Sequence, residues 1–159
     1  MTKEKKQEFT FRITRANETE LVVILYEMLL CYLGEAKEWL AQPQEAALLQ
    51  ESLRKARGCI NELMQSVHLE YQPGKELMQL YIYSLKRLAR CERCREEEPL
   101  QEVQKIMTSL HGAYARIAPE NPKGPVMNNS QTVYAGLTYG PKDLTENMAD
   151  QGSNRGMRV

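Results

Sequence analysis

LVVILYEMLLCYL, residues 21 to 33, decides the fold, because only Glu27 interrupts its apolar side chains. At helical spacing the stretch extends into two adjacent seams, Leu21/Leu25/Met28/Tyr32/Trp39 and Val22/Tyr26/Leu29/Leu33/Ala36/Leu40, stepping by fours and threes. A helix apolar over so much of its circumference is covered by several neighbours. It falls short of the roughly 20 apolar residues that span a bilayer, and Glu35, Lys37 and Glu38 follow it closely. It starts too far into the chain to be an export signal, with Glu18 and Glu20 before it and no small-residue cleavage site after it. No membrane insertion is expected.

The remaining numbers suit one core in a chain of 159 residues, with 42% hydrophobic and 26% charged content. The 21 basic and 21 acidic residues balance, which leaves no basic footprint for nucleic acid. Four cysteines without a secretion signal do not make a disulfide framework, so a reducing cytoplasm is the expected compartment.

Working outward, Asn17 and Glu20 form a capping-box pattern, which starts the first helix there and carries it to about Ala41. Before it, Phe9, Phe11 and Ile13 alternate with Thr10, Arg12 and Thr14, the pattern of an extended N-terminal arm over residues 1–16, with a flexible basic tail as the alternative. Pro43 ends one helix and suits the first turn of the next. The second helix carries the seam Ala46/Leu49/Leu53/Ala56/Ile60/Leu63/Val67, with Gly58 off it. Gly58 either admits a close neighbour or serves no purpose. Pro73 and Gly74 punctuate the next break.

The third helix runs from about Lys75 to Arg93 on Leu77/Tyr81/Ser84/Leu88/Cys91, with a second stripe Met78/Ile82/Leu85/Ala89 beside it. Glu96, Glu97, Glu98 and Pro99 open a fourth, on Leu100/Val103/Met107/Leu110/Tyr114/Ile117. Four helices with short connections predict an all-α, antiparallel up-down-up-down four-helix bundle over residues 17–117, crossing at about 20°. Residues 118–159 lose the seam and gain proline and glycine. They read as an irregular tail with one short helical candidate over 142–149 and apolar anchors at Val133, Tyr134, Leu137, Tyr139, Leu144 and Met148, suited to docking on the bundle, with simple disorder as the alternative.

Catalytic chemistry has no candidate. A di-iron bundle needs Glu three residues before His on two helices, but Gln65 precedes His68 and Thr108 precedes His111. There is no glycine-rich phosphate loop and no nucleophile motif. Cys91 and Cys94 form a lone C-x-x-C at a helix end among basic residues, a setting that lowers a thiol pKa, but no second ligand pair completes a zinc site. No cofactor and no metal are therefore expected. The alternative function is a small helical regulator or adaptor with a metal or thiol site at Cys91/Cys94, and a third is a bundle that self-associates. What remains is surplus apolar surface, which suits a groove for an amphipathic partner helix.

Several stretches resemble one family. Ala16-Asn17-Glu18-Thr19-Glu20-Leu21 through Leu25-Tyr26-Glu27 is similar to the signature A-S-P-E-E-L followed by L-Y-D of the FliS family, the flagellar export chaperones for flagellin. Lys55-Ala56, Ile60, Glu62-Leu63 and Ser66-Val67 are similar to its second helix. Gly74, Leu77, Leu80-Tyr81, Tyr83 and Leu88 follow its L-Y-x-Y pattern, and Pro99-Leu100 opens the fourth helix as in the family. The resemblance covers about Ala16 to Ile117. Departures are Glu27 and His68 where the family has aspartate, one glycine before the third helix where two are common, Phe9 and Phe11 in place of a tyrosine-bearing arm, and the long tail.

The resemblance implies a cytoplasmic, non-enzymatic chaperone, monomeric or weakly dimeric. Its partners are the C-terminal segment of flagellin and, beyond it, the flagellar export apparatus. The expected groove draws on Leu53, Ile60, Met64, Leu77, Tyr81 and Leu88, with Leu25 and Tyr26 supporting the first helix beneath it. The arm or tail is expected to cover the groove when it is empty, so that deleting residues 118–159 strengthens flagellin binding or leaves it unchanged.

Overall fold

The structure, a computed structural model, describes residues 1–127. The anchors between Val133 and Met148 and the helix expected over 142–149 lie outside the described residues.

Asn17 acts as its sequence context requires. Its side chain accepts from the Glu20 backbone N–H at 2.9 Å while the Glu20 carboxylate accepts from the Asn17 N–H at 2.9 Å. The two ends of this capping box start helix α2, Glu18–Leu40. Its second seam faces inward: Tyr26, Leu29, Leu33 and Ala36 are wholly buried.

A 3-10 turn at Pro43–Glu45 leads into α3, Ala46–Gln65, whose seam residues Leu49, Leu53, Ala56, Ile60 and Leu63 are buried. Helix α4, Gln72–Cys94, places Tyr81, Ser84, Leu88 and Cys91 inside. It starts a little earlier than the sequence indicates, because Pro73 lies within its first turn, where a missing N–H costs nothing. Helix α5, Glu97–Ile117, buries Leu100, Val103 and Met107. Its seam ends early, since Ile117 is half exposed.

In the resulting bundle α2 packs against α3 and α5, and α4 packs against the same two from the opposite side. One cluster joins all four helices. The Tyr26 and Tyr81 hydroxyls meet across the diagonal between α2 and α4, both buried, so each satisfies the other away from water.

Two connections depend on single residues. A side chain at Gly74 would place its Cβ 2.0 Å from the His68 carbonyl oxygen, so the α3–α4 turn closes only around glycine. Arg95 ends α4 in the left-handed conformation, φ 54°, with its N–H donating to the Cys91 carbonyl at 2.8 Å. Nothing lies within 4 Å of a Cβ built at Gly58, so no close neighbour requires glycine there.

The N-terminal segment differs from the extended arm. It is a helix, α1, Lys3–Arg15, capped by Thr2 and turned back along α2. Alternation would put Phe9, Phe11 and Ile13 on one side. Helical spacing separates them instead: Phe9 is buried and Ile13 joins its cluster, while Phe11 is exposed with the Arg15 guanidinium 4.2 Å from its ring centre. The alternation was apolar and polar but lacked a neighbouring strand, and the available partner was the unfilled face of α2.

Candidate partner-binding surface

α2 carries more apolar surface than the bundle consumes. Ile24, with Leu21, Met28 and Cys31, packs against Phe9 and Ile13 of α1, and Met28 also touches the bundle core. The positions 21, 24, 28 and 31 step by three and four, the register into which an amphipathic helix docks.

Few ties hold α1 there. Arg12 grips Glu27 through two guanidinium nitrogens at 2.5 and 3.1 Å, and His111 of α5 lies 3.5 Å from the same carboxylate. Burial pushes the Glu27 carboxyl up, but hydrogen bonds from Arg12 and then His111 outweigh it and hold the group below its ordinary range. The lone acid in the apolar stretch is thus the anchor for α1. The Met1 ammonium pairs with Glu35 at the other end of the helix.

At the hinge end α1 does not seal the face. A cavity of about 450 Å³ opens between α1, α2 and the end of α5, its apolar wall including Phe11, Val23, Ile24 and Ala115 and its charged wall formed by Arg12, Arg15 and Glu20. A second apolar surface lies on the outside of α4, where Leu80, Ile82 and Tyr83 are exposed and the Tyr83 hydroxyl donates to Glu102 at 2.6 Å.

Four of the six residues expected to line a groove are enclosed in the core. Leu53, Ile60 and Leu88 are wholly buried and Tyr81 is 1% exposed, all within the bundle interior, while Met64 and Leu77 are half-buried at its margin. Tyr26 is enclosed with them, its ring 5.5 Å from that of Tyr114, and Leu25 packs at the edge of the same cluster. Residues in the a and d positions of a bundle meet each other first.

Cys91 and Cys94 also part company. Cys91 is a seam residue, wholly buried, and burial pushes its thiol up to about 11 despite the nearby Arg95, whereas Cys94 is exposed. The lowered thiol expected from the basic neighbours is therefore corrected: desolvation wins over their charge. Among the described residues no three His, Cys, Asp or Glu side chains gather as a metal site. No described helix is long and apolar enough to cross a membrane.

Residues 1–121, well over half of the chain, match the family described as Flagellar protein FliS. The chain belongs to the FliS family. No curated protein sequence matches it. FliS proteins are flagellar export chaperones, not a family of enzymes, and the helical bundle with its surplus apolar face is the architecture found here. The match includes α1, so the helix over the α2 face lies within the family region. What sequence reasoning missed was that Leu21, Ile24, Met28 and Cys31 are the outward stripe. The available signal was the third apolar edge of α2, opposite the Tyr26/Leu29/Leu33 seam.

Proposed function

We propose that the chain is a cytoplasmic export chaperone that binds the C-terminal helical segment of flagellin on the outer face of α2, in the place α1 occupies. The observation that carries this reading is α1 itself: an amphipathic helix already seated on the Leu21/Ile24/Met28/Cys31 stripe by buried Phe9, by Ile13 and by ion pairs near its two ends. An incoming helix of the same character can replace it, offsetting its own ordering entropy with the apolar area it covers. Sequestering that segment keeps flagellin from polymerising until it is handed to the flagellar export apparatus. A monomer or weak homodimer suffices, and no cofactor is required.

Titration with a flagellin C-terminal fragment tests the reading. Binding at micromolar concentration is expected, with protection from hydrogen exchange appearing on α2 as protection of α1 is lost. Phe9→Ala removes the buried anchor of α1 and raises the affinity on the order of tenfold, because the competing occupant is gone from more of the molecules. Absence of a complex with the wild-type chain removes the reading, and weaker binding by Phe9→Ala makes α1 a contributor to the site rather than its competitor.

A further inference from the structure

The segment after α5 returns to the hinge between α1 and α2. Following the 3-10 turn Ala118–Glu120, Asn121 Nδ2 donates to Thr19 Oγ1 at 2.8 Å, and the Lys123 carbonyl accepts from Asn17 Nδ2 at 3.4 Å. The Val126 N–H then donates to the Ala16 carbonyl at 3.0 Å. Asn121 Oδ1 also accepts from the Lys123 N–H at 3.0 Å, which shapes the strap locally.

Two of these bonds fall on the residues that set the angle of α1, and the third ties the strap to Thr19 in the first turn of α2. Ala16 is the extended residue ending α1, and Asn17 is the extended residue starting α2; they are 3% and 5% exposed. An α1 that swings away changes the backbone angles of this pair, and so must break the strap or carry it along. Asn17 is fully engaged: its N–H and Oδ1 close the capping box, its carbonyl accepts from Leu21, and its amide nitrogen is committed to the strap. The family match ends at residue 121, so Lys123 and Val126 of the strap lie beyond the matched residues.

We propose that residues 121–126 are a clasp that locks the α1–α2 hinge and holds α1 over the α2 face. The clasp sets how often that face opens, whatever ligand it serves; its effect on flagellin binding rests on the function proposed above. Bonds at a hinge act on the opening equilibrium alone, because the α2–α5 core is the same whether α1 lies down or not.

Two substitutions in the full-length chain separate the clasp from the cap. Asn17→Asp keeps the acceptor that caps α2 but replaces the donor to Lys123 with an oxygen that repels its carbonyl. Val126→Pro deletes only the N–H given to Ala16, at an exposed position after Pro125. Each should speed hydrogen exchange of the α1 amides about tenfold, the effect of one lost hydrogen bond, with α2–α5 amides unchanged. Lys123→Ala removes only a largely exposed ion pair to Glu18 and should leave α1 exchange as it is.

Unchanged α1 exchange in both clasp variants overturns the proposal, as does equal acceleration across all five helices, which makes the strap a general prop. Faster α1 exchange without tighter binding of the flagellin fragment keeps the clasp and rejects the displacement reading of function. Faster exchange with tighter binding supports both.

Discussion

At the residue scale, the buried hydroxyl pair of Tyr26 and Tyr81 illustrates how polarity is tolerated inside a bundle. Both are desolvated; burial raises Tyr26 far above its ordinary range and Tyr81 to about 12. Phenylalanine at either position alone strands the other hydroxyl, costing about 1–3 kcal/mol, whereas the double substitution removes both and recovers most of that loss. Urea unfolding of Tyr81→Phe, Tyr26→Phe and the pair checks this, and additive losses would mean that the hydroxyls do not depend on each other. Gly58, which the sequence leaves ambiguous, and Gly74, which it reads as a break, also separate here. Gly58→Ala meets open space and should add up to about 1 kcal/mol to stability. Gly74→Ala drives a methyl into the His68 carbonyl and should destabilise the α3–α4 turn, so thermal midpoints of the two variants should move in opposite directions. Gly74 could be read from the Pro73-Gly74 pair as a turn, but its need for glycine comes from a backbone six residues away.

At the scale of elements, Glu27 is the titratable group that receives the Arg12 side chain of α1, which lets pH act on that helix. The carboxyl is depressed in the folded chain relative to about 4.3 when unfolded. Its contribution is therefore present above that value and is lost as pH falls through the depressed one. Below about pH 4, α1 amides should lose protection relative to those of α2–α5. Glu27→Gln, which cannot ionise, should weaken α1 at neutral pH and flatten the pH dependence of that ratio. An unchanged pH profile in Glu27→Gln would place the acid sensitivity elsewhere. The helices themselves were legible wherever their ends carry chemistry: the Asn17 capping box and the acids before Pro99 mark real starts, and Pro43 opens the 3-10 turn that leads into α3. α1 was not legible, because Phe9, Phe11 and Ile13 fit an extended pattern as well as a helical one, and only contact with α2 chooses between them.

At the scale of the whole molecule, the bundle and the partner surface draw on the same apolar supply, and sequence shows the supply but not its division. The seam residues Leu53, Ile60, Tyr81 and Leu88 looked as suitable for a groove as for a core, and the core took them because facing helices of similar length bring such positions together first. The remainder, Leu21, Ile24, Met28 and Cys31, was left outward once α3 and α5 had covered the other sides of α2.

The strap over the hinge belongs to neither supply. Its ties run through two backbone carbonyls, a backbone N–H, two side-chain amides and the Thr19 hydroxyl, groups that carry no periodic signal. The amino-acid sequence by itself determined the four bundle helices, their order, and the family to which they belong, because periodicity and capping act over a few neighbouring residues. Which stripe is sealed, which is lent to α1, and what holds α1 in place were decided only by tertiary structure, because those choices depend on residues up to about a hundred positions apart.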